Sequence, residues 1–131
     1  LCAVLLILSP GCQSISPESI PQDLEPRNFF KEAQNAIVER SDYDTALVYY
    51  RTFIERYPND TPNVVEATYE IAFIHYKEGK LEKAETLFNE VLDFYNREGS
   101  EKLPQWPEAL SLKMVSKIEA ETATDQPESA E

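Results

Sequence analysis

Few side chains in this chain of 131 residues could do covalent or acid–base chemistry: one histidine, His75, and two cysteines, Cys2 and Cys12. A general base needs a proton to take and a partner to orient it. His75 stands in the run YEIAFIHY among Tyr69, Phe73 and Tyr76. No HExxH pair, Gly-rich phosphate loop or paired metal-ligand spacing accompanies it. A lone imidazole in such company reads as a packed residue, not a catalyst. Both cysteines fall in the first twelve residues, so the body of the chain has no thiolate chemistry. The carboxylates are scattered, as solvated helix faces require. These residues predict a protein that is not an enzyme and that needs no metal or cofactor.

The charge balance narrows the partners further. Asp and Glu number 24 against 12 Lys and Arg, for a net charge of −12. Such a surface repels phosphate backbones, which excludes nucleic acid as an expected partner. Hydrophobic residues make up 42 % of the chain, enough to bury a core. The three glycines and the absence of Asn-Gly or Asp-Gly pairs argue against an all-β fold.

The first eight residues, LCAVLLIL, carry no charge. That is far short of the ~20 apolar residues of a membrane span, but it suits the core of a signal peptide. Ser9-Pro10-Gly11 follows, and then Cys12. Pro10 ends any helix from the apolar run, and Gly11 leaves the backbone beside Cys12 open. The stretch resembles the bacterial lipoprotein signal, with Ser9 where Leu is usual and Leu8 one place further back. The resemblance implies that residues 1–12 are a truncated signal peptide and that Cys12 is lipidated. It further implies that the protein is anchored in the bacterial cell envelope, at the periplasmic face of the outer membrane. Residues 13–26 hold Pro17, Pro21 and Pro26 among serines and acids, and they read as an extended tether.

From Asn28 the texture becomes helical. Phe29, Phe30, Ala33, Ala36 and Ile37 recur at three- and four-residue steps, and so do Tyr43, Ala46, Leu47, Tyr50, Phe53 and Ile54. Ser41-Asp42 offers a cap between them, and Tyr57-Pro58 a stop. Thr61 and Pro62 open a third helix carrying Val65, Tyr69, Ala72, Phe73 and Tyr76. Gly79 closes it, and a fourth helix carries Leu81, Ala84, Leu87, Phe88, Val91, Leu92 and Tyr95, ending by Gly99. SDYDTALVYYRTFIERYP aligns with GKLEKAETLFNEVLDFYN at an offset of 38 residues. The alignment pairs Ala46 with Ala84, Tyr50 with Phe88 and Phe53 with Val91.

This plan resembles the tetratricopeptide repeat, a helix–turn–helix unit of 34 residues. In that family a small residue lets the two helices of a repeat touch, and an aromatic one turn later fills the gap. Ala46 and Tyr50, then Ala84 and Phe88, occupy those places. Gln34 stands in the first repeat where the family has a small residue and the second repeat has Ala72. The implied fold is all-α: two antiparallel helical hairpins over residues 27–118 plus a capping helix with Trp106, Leu110, Met114, Val115 and Ile118. Residues 119–131, acidic and without large apolar side chains, read as a disordered tail.

The resemblance also implies a groove for protein partners, lined by the first helix of each repeat. Lys31 and Asn35 occupy two places of the carboxylate clamp found in chaperone-binding relatives. Glu70 and Glu108 stand where further basic or polar groups are needed, which rejects the clamp. Tyr69, Phe73 and Tyr76, at i, i+4 and i+7, are either a packed stripe or an aromatic shelf for a partner. The segment from Phe53 to Tyr95 is similar to the BamD-type outer-membrane assembly lipoproteins, in its Tyr57-Pro58 stop and its Ala67-Thr68-Tyr69. Those proteins carry about five repeats against two here. The function expected is a lipid-anchored scaffold for envelope proteins or peptides, with outer-membrane protein assembly as its setting. The alternative is a periplasmic module that handles a ligand or assists a transporter, which would show as an apolar cavity beside Phe73 and His75.

Overall fold

The computed structural model describes residues 15–124. Five helices follow one another: α1 (Pro26–Arg40), α2 (Tyr43–Arg56), α3 (Thr61–Lys77), α4 (Leu81–Tyr95) and α5 (Gln105–Thr124). No strand occurs among the described residues. The helices pack in chain order, α1 on α2, α2 on α3, α3 on α4 and α4 on α5, as a row of antiparallel hairpins.

Local chemistry sets the turns. Pro26 opens α1, where a missing N–H is harmless. Ser41, at φ 51°, reverses the chain, and the Asp42 carboxylate accepts from the Thr45 N–H at 3.0 Å. That bond holds the Asp42 carboxyl below its usual range. The cap of α3 is Asp60, one residue before the expected Thr61, and its carboxylate accepts from the Asn63 amide at 2.7 Å. Gly79, at φ 75°, closes α3 with a left-handed residue: its N–H reaches the Tyr76 carbonyl and Lys80 N–H reaches His75. Any side chain at Gly79 would be strained by that φ, although space is open around it.

Two apolar clusters fill the row, and α3 serves both. Val64, Ala67, Ile71 and Ile74 join Phe29, Ala33, Ala46, Tyr50 and Phe53 in the first. Val65, Tyr69 and Ala72 join Ala84, Phe88, Val91, Met114 and Ile118 in the second. The two small–aromatic pairs are fully buried, Ala46 with Tyr50 and Ala84 with Phe88. Phe30 meets Tyr50 and Phe53 edge-on, with ring centroids 5.5 and 5.0 Å apart. Such pairs add ~0.5–1.5 kcal/mol beyond area burial.

Two expectations are corrected at the edges of the domain. The proline-rich stretch is not a free tether over its described part. It forms a 3-10 turn, Pro17–Ser19, and lies on the end of α2. Ile20 is only 2 % exposed, inside the first cluster, with Ile15 and Leu24 packed beside it. The Arg56 guanidinium donates to the carbonyls of Pro21 (2.7 Å), Ile20 (3.0 Å) and Pro17 (3.4 Å). The Tyr57 hydroxyl donates to the Leu24 carbonyl at 3.0 Å. Prolines that cannot donate still leave carbonyls free, and one arginine collects them. At the other edge, α5 runs six residues past Ile118, and the Tyr76 hydroxyl donates to Glu121 at 2.9 Å. Residues 119–124 are therefore helical, because Glu121 finds a partner on α3 and Ala120 and Ala123 favour a helix.

Candidate partner-binding face

The side chains singled out from the sequence fall into three environments. Cys12, the expected lipidation site, lies outside the described residues. Lys31 is exposed and Asn35 half-buried, both on α1. The aromatic stripe lies elsewhere, against α5. Tyr69 is 7 % exposed, tilted on Phe88 at 5.6 Å and edge-on to Trp106 at 5.1 Å. Phe73 stacks on Tyr69 at 6.3 Å. Tyr76 is half-buried; its hydroxyl is tied to Glu121 and its ring faces the Lys117 ammonium at 5.1 Å. Between packed stripe and open shelf, the geometry favours the stripe: α5 occupies the place a partner would need. Lys31 and Asn35 lie on α1, and Tyr69, Phe73 and Tyr76 on α3.

His75 is 1 % exposed and hydrogen-bonded on both sides. Its Nδ1 lies 2.9 Å from the Glu78 carboxylate and its Nε2 lies 3.3 Å from an Arg51 guanidinium nitrogen. Arginine can only donate, so Nε2 is the acceptor and Nδ1 carries the proton. Lys80 adds a second contact to Glu78 at 3.0 Å. Burial lowers the His75 pKa from its usual value, against the pull of the Glu78 bond. The imidazole is thus a neutral link from α2 through α3 to the turn before α4. It has no free nitrogen for a substrate, and packed side chains surround it. A described cavity of about 470 Å³ lies instead among Thr61, Phe94 and Leu103, at the surface.

A polar cluster that sequence reasoning missed joins α1, α2 and α3. The Gln34 amide donates to the Tyr50 hydroxyl at 2.9 Å, and Gln34 offsets part of the upward shift of the Glu70 carboxyl. A large residue thus stands where the repeat usually keeps a small one: Gln34 is itself exposed, but its amide satisfies a buried phenol. Burial, with Glu66 one turn away, pushes the Glu70 carboxyl up to about 7. Burial also raises Glu66 and the Tyr50 hydroxyl. The signal available in the sequence was Glu66 and Glu70 at i, i+4 on a helix otherwise rich in apolar residues. Among the described residues, no group of three or more His, Cys, Asp or Glu is placed to hold a metal ion. No described helix is long and apolar enough to cross a membrane.

Residues 28–60 match the family model of the tetratricopeptide repeat. The chain carries a tetratricopeptide-type repeat. The match covers α1, α2 and the Pro58 stop, and the 38-residue offset carries the same plan into α3 and α4. An uncharacterized protein of Treponema pallidum (strain Nichols) is 28 % identical over 101 residues, 77 % of this chain. Those residues make up 40 % of that relative, so the chain spans well under half its length. No solved structure matches. The tetratricopeptide hairpins place Lys31, Gln34 and Asn35 of α1 and Glu66 and Glu70 of α3 on the first helices of successive repeats, the elements such folds use to meet protein partners.

Proposed function

We propose that this chain is a non-catalytic tetratricopeptide scaffold that binds protein partners in the bacterial envelope, held to a membrane by a lipid on Cys12. One observation carries the scaffold reading: the desolvated Glu70 and its neighbour Glu66 lie on the first helix of the second repeat, next to Gln34 on the first helix of the first. A carboxylate with its pKa near 7 gains most from a cationic group that replaces lost water. A lysine or arginine of a partner protein has that chemistry. The anchor is supported by the LCAVLLIL run and the Ser-Pro-Gly approach to Cys12. The BamD-type texture of Phe53–Tyr95 directs the search for partners to outer-membrane protein assembly.

Two measurements test the reading separately. Mass analysis of the mature N-terminus reads the anchor: an acylated Cys12 supports it, and an unmodified start further along removes it. Quantitative capture from solubilised envelopes, with the wild type against a Glu66→Lys/Glu70→Lys double variant, reads the face. A protein held by the wild type and lost by the variant, at equal helicity, supports it. Identical capture by both rejects it.

A further inference from the structure

We propose that one end of the helical row is its membrane-facing surface, held flush against lipid headgroups. It is the end where the strap Ile15–Leu24 lies, beside Pro26, Pro58 and Thr61. The inference rests on the proposed lipid on Cys12, and it deepens that reading by naming the surface the lipid brings to the bilayer.

The length of the leash carries it. A free tether over residues 13–26 would have a root-mean-square reach of about 20 Å and a full extension of about 45 Å, which lets a domain turn in any direction. The strap removes that freedom. Ile15 and Leu24 pack on the first cluster, and Ile20 is buried in it. Arg56 and Tyr57 hold the carbonyls of Pro17, Ile20, Pro21 and Leu24. The chain is thus fixed to the domain from Ile15 onward. Only Gln13 and Ser14 separate Ile15 from Cys12. Three Cα steps span at most about 11 Å, roughly half the length of one helix of the row.

Direction follows from where the strap is pinned. Arg56 is the last residue of α2, and Tyr57 caps it. In the antiparallel row α1 and α3 begin, and α2 and α4 finish, at that same end, while the turns at Ser41 and Gly79 lie at the other. The 14 residues of α2 put about 21 Å between the two ends. A chain of net charge −12 has no general attraction for phosphate headgroups that would lay its helix sides on the bilayer, so the leash sets the contact. Glu66 and Glu70 then stand about 8 and 14 Å from the membrane end, by their places in α3. A basic segment that meets them belongs to a partner lying close to the headgroups.

Cys2 and Cys12 are the only cysteines, which makes the test clean. Cys2 precedes the anchor and an acylated Cys12 has no free thiol, so a cysteine introduced into the body is labelled alone. Asn59→Cys and Asp44→Cys, at exposed positions near the two ends of α2, each carry a fluorophore. The acylated protein is placed in phosphatidylcholine vesicles whose headgroups bear a nitroxide quencher. With about 22 Å between the labels, quenching should be at least about threefold stronger in Asn59→Cys than in Asp44→Cys. Ten Gly and Ser residues inserted between Ser14 and Ile15 add about 18 Å of mean reach without touching the helices, and should bring the two within about 1.5-fold. With acylation of Cys12 verified by mass on the same sample, equal quenching at the two positions, or stronger quenching in Asp44→Cys, overturns the proposal. A difference that survives the insertion overturns it too. An unacylated Cys12 removes the anchor itself, and this inference with it.

Discussion

The two repeats share one plan but finish their outer sides by different means. The first hairpin, α1–α2, is covered by about ten residues with almost no regular structure, Ile15 to Leu24. The second, α3–α4, is covered by a twenty-residue helix, α5. A helix satisfies its own backbone and needs only an apolar stripe, supplied here by Met114 and Ile118. An irregular segment must find donors elsewhere, and Arg56 and Tyr57 supply them. A covering segment without secondary structure therefore depends on a few side chains of the helix it covers. A helical cover spreads the same work over its whole length.

That contrast can be broken in graded ways. The largest effects should be equal in both repeats. Tyr50→Ala and Phe88→Ala each remove a fully buried aromatic from the same repeat position, and each should lower stability by about 3–5 kcal/mol in urea unfolding. A much smaller loss in one of them would show that the repeats are not equivalent units. Arg56→Ala should separate the two covers. It should cost about 1–3 kcal/mol and speed amide exchange of Ile20 and Leu24 while leaving α5 unchanged. Equal loosening of α5 would mean that the whole row opens as one.

The junction between the repeats gives the pH dependence. Glu70 titrates near 7 in the fold, above its ordinary value of 4.5. The folded state thus pays for its ionisation above pH 7, and that penalty fades as pH falls toward 4.5. Glu70→Gln should therefore stabilise the protein at pH 8 by about 1–3 kcal/mol and change little at pH 5. An unchanged midpoint at pH 8 would show that the carboxylate is better solvated than its burial implies. His75 acts in the opposite direction. Its folded pKa is depressed, so its contribution is present above the unfolded value of 6.5 and is lost as pH falls below it. In the Glu70→Gln background the unfolding midpoint should drop between pH 6.5 and 5.5, and His75→Gln should flatten that drop. The smallest effect is at the first turn: Asp42→Ala should cost about 1 kcal/mol, read by the same unfolding curves.

The periodic elements are legible in the sequence. Helix positions, the Asp42 cap, the Gly79 stop and the paired Ala46–Tyr50 and Ala84–Phe88 all follow from local rules that act within a few residues. The misreadings share one cause. Pro17, Pro21 and the serines around them carry the composition of a tether, and nothing local reveals that Arg56, 35 residues away from Pro21, will collect its carbonyl. Glu121 sits in an acidic stretch that reads as disorder until Tyr76 is placed beside it. Gln34 breaks the small-residue rule, and its reason, the Tyr50 hydroxyl, appears only when α1 meets α2.

The candidate site divides in the same way. Sequence alone determined that this is a row of helical hairpins with an acidic surface and a lone histidine, because periodicity, caps and composition are properties of neighbouring residues. It also named Tyr69, Phe73 and Tyr76 as one stripe, since helical spacing requires it. Only the tertiary structure decided that α5 lies over that stripe, that His75 is locked between Arg51 and Glu78, and that Glu70 loses enough water to titrate near 7. Each of these depends on which surfaces meet across tens of residues, and desolvation is set by the far partner as much as by the residue that feels it.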